Sequence, residues 1–234
     1  MEYFAEAFNK AVALMLSLDP ELYGIIFLSI KISVIATIIS TIIGMPAGAL
    51  IGLNRFWGKT ALINLTNTFM GMPPVVIGLV VYILLSNQIG ILGPLRLLFT
   101  PTAMIIAQVL LAVPIITGLT IVAVQGVDPL LRKTAVSLGA NGPQLGWIMI
   151  REARYAIGAA VITAFGRLTA EVGAVMMVGG NIRFQTRVMT TAIALHKGMG
   201  EFQIALALGM ILLAISLLIN SVLDMLRRGR GTVN

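Results

Sequence analysis

Five stretches of this chain stay apolar for twenty residues or more, at about 23–50, 62–85, 102–125, 156–178 and 203–226. A helix needs about 20 apolar residues to cross the roughly 30 Å hydrocarbon core of a bilayer. Inside that core each backbone N–H and C=O must be bonded within its own segment, so stretches of this kind have to be helices. The expected fold is an all-α membrane protein with about five transmembrane helices. Composition agrees, because 58% of the 234 residues are hydrophobic and only 11% charged, whereas soluble domains carry charge on about a quarter of their residues. So few charges cannot cover a water-soluble globule.

Basic residues orient the spans. Arg55 and Lys59 follow the first span, Arg132, Lys133, Arg151 and Arg154 follow the third, and Arg227, Arg228 and Arg230 follow the fifth. With five spans all of them fall on one side, opposed there by Asp128, Glu152 and Asp224. The positive-inside rule makes that side the cytoplasm, so the N-terminus is expected outside and the C-terminus in the cytoplasm. The other side balances Lys10, Arg96, Arg183, Arg187 and Lys197 against Glu2, Glu6, Asp19, Glu21 and Glu201. A net charge of +7 would suggest a nucleic acid in a soluble protein. Here orientation in the membrane accounts for it, and the expected contact is lipid, with no nucleic-acid partner.

Residues 1–20 are expected to form an interfacial helix, with Phe4, Phe8, Val12 and Met15 at helical spacing and Asp19-Pro20 ending it. Acidic residues stand where a signal peptide would be basic, so this segment is expected to be retained. Residues 21–226 then make one transmembrane domain, and 227–234 a basic cytoplasmic tail. In the first span Ala36, Ser40, Gly44, Gly48 and Gly52 form a stripe of small residues every four positions, a face against which another helix can pack closely. Either an intramolecular helix or a second subunit could meet it. Pro73-Pro74 and Pro114 remove backbone hydrogen bonds and should bend the second and third spans.

Little in the chain resembles catalytic machinery. Cysteine is absent, and the single histidine, His196, cannot assemble a zinc site with others of its kind. GLNRFWGKT puts five residues between Gly52 and Gly58, where a phosphate-binding loop needs four. The chain is therefore not expected to be an enzyme, to hold a metal or cofactor, or to bind nucleotide, and any energy from ATP must come through a partner.

Charge within a span is costly and usually faces a partner, protein or water. The fourth span nevertheless carries Arg167 and Glu171, four residues apart. On one continuous helix they would share a face and could pair, as a scaffold, or one of them could contact a passing anion. Thr163, Thr169, Thr190 and Thr191 add hydroxyls that could pass an ion along a pathway. Lys31 fits a snorkelling interfacial lysine or an anion attractor. Arg183 and Arg187 could anchor the chain at the interface, meet an external protein or concentrate anions.

The segment at about 127–153 is long for a connection and keeps helical chemistry. Asp128 can cap a helix starting at Pro129, Gly139 can end it in the left-handed conformation, and Asn141-Gly142-Pro143 can start another. Here the sequence resembles the permease subunit of bacterial and archaeal ABC importers. Their cytoplasmic signature is Glu-Ala-Ala, three residues, Gly, nine residues, Ile, one residue, Leu-Pro. Aligned on Gly139, this chain has Lys133-Thr134-Ala135 before the glycine and Met149, Arg151 and Glu152 after it. Alanine and glycine match, while Lys133 and Glu152 replace the usual glutamate and proline. Phe165–Asn181, FGRLTAEVGAVMMVGGN, resembles the segment after that loop in the molybdate, sulfate and tungstate importers, and TRVMTTAIAL, Thr186–Leu195, resembles the tungstate branch.

The resemblance implies a homodimeric permease in the cytoplasmic membrane of a prokaryote. It also implies two cytoplasmic ATPase subunits, which hold the ATP and magnesium, and an extracytoplasmic oxyanion-binding protein. Arg132, Lys133, Thr134, Ala135, Leu138, Gly139, Ala140 and Asn141 would form the surface coupled to the ATPase. Tungstate is the implied cargo, with molybdate, sulfate or another solute as alternatives. A stand-alone channel or secondary carrier is a rival that needs no ATPase. The cysteine-free chain makes the topology directly testable. A Lys133→Cys variant should react with a membrane-impermeant maleimide only in inside-out vesicles, and Lys10→Cys only in right-side-out ones; the reverse pattern would invert the orientation.

Overall fold

The computed structural model describes residues 2–17 and 19–228, without the side chains of 2–5, 7 and 222–228. The tail at 229–234, with Arg230, and the side chains of Glu2, Phe4, Asp224, Arg227 and Arg228 lie outside the described residues. Eleven helices follow one another: α1 (Glu2–Leu16), α2 (Pro20–Leu53), α3 (Lys59–Met70), α4 (Pro74–Leu85), α5 (Pro101–Gln125), α6 (Pro129–Ser137), α7 (Gly142–Glu152), α8 (Arg154–Thr169), α9 (Gly173–Gly179), α10 (Met189–Gly198) and α11 (Phe202–Arg228). A single 3-10 turn, Gly93–Leu95, lies between α4 and α5. Among the described residues there is no strand.

Helices α2, α5 and α11 are each long and apolar enough to cross a membrane, and the pairs α3–α4 and α8–α9 bring the number of candidate spans to five if each pair counts as one. The second and fourth spans read from sequence are therefore interrupted helices. Pro73 and Pro74 cause the first interruption: Pro74 starts α4 at a position that needs no N–H, and Pro73 sits extended before it. Pro46 and Pro114, by contrast, lie inside helices that run on through them.

Two compact units divide the chain. One comprises 37–72 and 109–165, and in it the small-residue stripe packs within the chain. The Ser40 hydroxyl reaches the Val109 carbonyl at 3.4 Å. A Cβ on Gly44 would lie 3.0 Å from the Val113 carbonyl, and one on Gly48 would lie 2.5 Å from that of Thr117 and 2.7 Å from the Thr120 Cβ. On Gly52 it would collide with Val124 and come 3.4 Å from the Ile121 carbonyl. Positions 40, 44, 48 and 52 thus meet 109, 113, 117 and 121, so α2 and α5 run parallel in register. Between them in the chain come α3 and α4, an interrupted apolar pair that counts as one candidate span. Beside this seam Ile115, Ile116 and Ala164 form one apolar cluster, and Val124, Ala153 and Ile157 another.

The other unit comprises 1–36, 73–108 and 166–234. Its core joins Ala11 of α1, Leu22 and Ile25 of α2, Met189 and Ala192 of α10, and Ala207, Leu208 and Ile211 of α11. Helix α1 packs on α11 through Ala11 and Leu14, while Phe8, Val12 and Met15 stay exposed. That exposed face is the apolar one expected to meet lipid. Helices α4 and α9 approach closely, since a Cβ on Gly78 would stand 2.7 Å from the Ala174 Cα. Leu213, Leu217 and Leu218 on α11 are 65–71% exposed, the apolar surface that a hydrocarbon solvent requires.

Gly48→Leu forces a side chain against a backbone carbonyl that cannot yield, which should cost about 1–3 kcal/mol as overpacking does. Thermal unfolding of the detergent-purified chain should show a clear fall in midpoint, whereas Gly24→Ala, where nothing lies within 4 Å, should leave it unchanged.

Candidate functional site

The segment at 127–153 is built as two capped helices. Asp128 Oδ1 accepts from the Leu130 N–H at 2.8 Å and opens α6. Gly139, at φ +85°, closes it. The Ala140 and Gly139 N–H groups return to the Ala135 and Val136 carbonyls at 3.0 Å each, the paired bonds of a left-handed helix stop. Asn141 then caps α7 reciprocally with Gln144, 3.0 Å in both directions. Ala135 is buried, while Arg132, Lys133, Thr134, Leu138, Gly139 and Asn141 are exposed and Ala140 is half-buried. The result is a capped elbow that shows Leu130, Val136, Leu138 and Trp147 to its surroundings at 56–83% exposure.

Between α7 and the C-terminal end of α2 lies a cavity of about 580 Å³, lined among others by Leu50, Leu53, Pro143 and Trp147. Arg132 donates to the Leu53 carbonyl at 3.3 Å, and Lys59 Nζ donates to those of Gly52 and Asn54 at 2.9 and 3.0 Å. Cations thus satisfy the open carbonyl end of α2, as the helix dipole favours.

The second site lies where α8 stops. Arg167 and Glu171 do not share a helix face as the sequence suggested. Helix α8 ends at Thr169 and α9 starts at Gly173, so Glu171 falls in the turn between them. Among the described residues no ion pair joins it to Arg167, which is exposed on the last turn of α8. Glu171 instead works on the break: its Oε1 accepts from the Ala174 N–H at 3.0 Å, and its own carbonyl accepts from Thr190 Oγ1 at 2.8 Å. The Leu168 carbonyl, left open by the end of α8, accepts from Gln108 Nε2 at 3.2 Å.

Glu171, Thr169 and Thr190 line one small polar cavity with Ser29, Ser33 and Gln108. Thr191 is fully buried but bonds locally, its hydroxyl exchanging hydrogen bonds with Val188 at 3.0 Å. Thr163 lies in the other unit, exposed, with its hydroxyl donated to the Ala159 carbonyl at 2.9 Å. Of the four candidate hydroxyls the structure therefore gathers two. Gln108 was missed, although a lone amide inside an apolar span was there to be noticed.

Near the N-terminus of α2, Glu21 holds Arg183 at 2.5 Å and Arg187 at 3.2 Å. The carboxylate's hydrogen bond holds the Arg183 guanidinium above its ordinary proton affinity. His196 pairs with Glu201 at 2.6 Å across the turn from α10 to α11.

A multi-pass helical chain with a capped elbow and two interrupted spans has the form of a transporter subunit. Residues 44–231 match the family of binding-protein-dependent transport system inner membrane components, and the chain belongs to that family, the membrane-spanning permeases of ABC transporters. It is 44% identical over 223 residues to the tungstate uptake system permease protein of Peptoclostridium acidaminophilum, covering 95% of this chain and 97% of that one. It is 33% identical over 228 residues to the protein of the same name from Campylobacter jejuni, covering 97% and 95%. Its fold matches a chain of a bacterial ABC transporter that imports the acidic polysaccharide alginate, with a TM-score of 0.77 at 17% identity over 94% of this chain and 83% of that one. At that identity the likeness speaks for the fold alone.

Asn141→Ala removes one capping partner, a loss of about 1 kcal/mol. Hydrogen exchange in the first turn of α7 should therefore quicken roughly five-fold, while Asn141→Asp, which keeps the acceptor, should leave it near wild type.

Proposed function

We propose that this chain is the permease subunit of an ATP-driven importer of tungstate. The observation that carries this reading is identity of 44% and 33%, along nearly the full length, with two tungstate uptake permease proteins. In this reading residues 1–20 lie at the membrane interface, 21–226 form the transmembrane domain and 227–234 a cytoplasmic tail. The N-terminus is outside. The chain works as a homodimer, because one subunit of about five spans is small for enclosing a pathway.

The α6–α7 elbow would be the cytoplasmic surface that docks onto two ATPase subunits, which bind ATP and magnesium. Its caps support this: a stiff elbow transmits a push, and exposed Leu138 and Val136 give apolar anchors for a partner groove. Lys133 stands exposed where the family usually has a glutamate, so a carboxylate on the ATPase would suit it as partner. An extracytoplasmic oxyanion-binding protein would deliver the cargo and supply most of the selectivity, since tungstate and molybdate are nearly the same in size and charge. Arg167, exposed and outside any ion pair with Glu171, is the residue we assign to the passing anion.

The test is tungstate uptake by liposomes containing the chain, its ATPase and its binding protein, with ATP inside. We expect ATP-dependent uptake that survives excess sulfate. Leu138→Glu should lower it by about ten-fold or more, the effect of roughly 1.4 kcal/mol lost from docking. Arg167→Ala should lower uptake without lowering ATPase association. Uptake without the ATPase would support a secondary carrier, and absence of ATP-dependent oxyanion uptake would reject the substrate.

A further inference from the structure

The cavity at the α8–α9 break has the wrong polarity for the anion. Gln108 is 3% exposed, and its Nε2 is committed to the Leu168 carbonyl, which fixes the amide so that Oε1 is the outward acceptor. That oxygen is buried and has no hydrogen-bond partner. The protons on the neighbouring hydroxyls are committed as well, Ser29 Oγ donating to the Ile25 carbonyl at 2.7 Å and Thr190 Oγ1 to the Glu171 carbonyl at 2.8 Å. Ser29 also accepts from the Met189 N–H at 2.8 Å. Glu171 adds a carboxylate, one oxygen of which is used by the Ala174 N–H. What these four residues present to the cavity is lone pairs and one formal negative charge, at the carbonyl end of α8, where the helix dipole is negative; the first turn of α10 also reaches the cavity through Val188 and Thr190, with its Met189 N–H already given to Ser29. An oxyanion would meet repulsion here.

The space is about 10 Å³, roughly what one water-sized sphere occupies. Broken membrane helices hold small cations with this set of groups: the carbonyl end of a half-helix, unwound backbone and side-chain oxygens. We propose that the cavity at the α8–α9 break binds one small monovalent cation, sodium by its size, between Gln108 Oε1, the Glu171 carboxylate and the hydroxyl oxygens of Ser29 and Thr190. The cation satisfies the buried amide oxygen, neutralises the carboxylate and ties α2, α5, α10 and the α8–α9 junction together within one unit. The proposal does not depend on the cargo's identity.

Equilibrium binding of radioactive sodium to the full-length chain in lipid nanodiscs tests this, with choline replacing sodium at constant ionic strength. Saturable binding of about one ion per chain is expected, with Gln108→Leu and Glu171→Gln each weakening it about ten-fold or more, a loss of roughly 1.4 kcal/mol. Glu171→Gln keeps an acceptor for Ala174 and so removes the charge with least harm to the turn; Ser29→Ala is a milder variant should either fail to fold, and should also weaken binding. Wild-type protein without saturable sodium binding would overturn the proposal, leaving the cavity to a water at most. Binding unchanged in all three variants would overturn it equally, because the ion would then sit elsewhere.

Discussion

A helix that stops inside an apolar layer leaves carbonyls and N–H groups that cost several kcal/mol each unless something in the protein takes them up. Much of this structure answers that demand. At the end of α8 the Gln108 amide and the Glu171 N–H take the Leu168 carbonyl, and the Glu171 carboxylate takes an N–H at the start of α9. At the end of α9 the Phe99 N–H takes the Val178 carbonyl at 2.9 Å and Thr186 Oγ1 takes that of Gly179 at 2.5 Å. The polar residues buried in this unit are therefore not scattered. They gather where helices are cut.

Helix packing follows from the same solvent. Lipid offers no hydrophobic reward for bringing two helices together, so close packing and small side chains have to supply the attraction. The register of 40, 44, 48 and 52 against 109, 113, 117 and 121 brings the α2 backbone against successive α5 carbonyls. Glycine is required there because a Cβ has nowhere to go, not because the backbone is unusual. Gly78 and Ala174 repeat the device between α4 and α9. Helices α2 and α5 run in parallel at their contact, and the break between α8 and α9 carries the polar turn.

Charge is divided by position. Arg132 and Lys59 close the carbonyl end of α2 beside the α6–α7 elbow, and Arg183 and Arg187 share Glu21 near the start of α2. Arg167 is left exposed, since Glu171 is occupied with backbone. A divalent oxyanion needs sites it can leave, and an exposed arginine holds it less tightly than a deep, dry pocket would.

The helical class of the spans, the capped elbow around Gly139 and the packing stripe of α2 were legible in the sequence, because each depends on neighbours a few residues apart: hydrophobic run length, cap chemistry and a four-residue period. The elbow even keeps its residues in order, Asp128, Gly139 and Asn141 doing locally what their side chains or φ angle allow. Where that locality ended, so did the reading. Arg167 and Glu171 looked like a pair because four residues is one helical turn, and nothing nearby in sequence announced that the turn would be cut at Thr169. Residues as far apart as Ser29, Gln108, Glu171 and Thr190 meet only because α2, α5 and α10 close around the break. The sequence by itself determined that this chain is an all-helical membrane protein and where its helices can start and stop, since bilayer thickness and backbone hydrogen bonding act on single segments. Only the tertiary structure decided which helices break and which side chains satisfy the ends, since those partners come from distant parts of the chain.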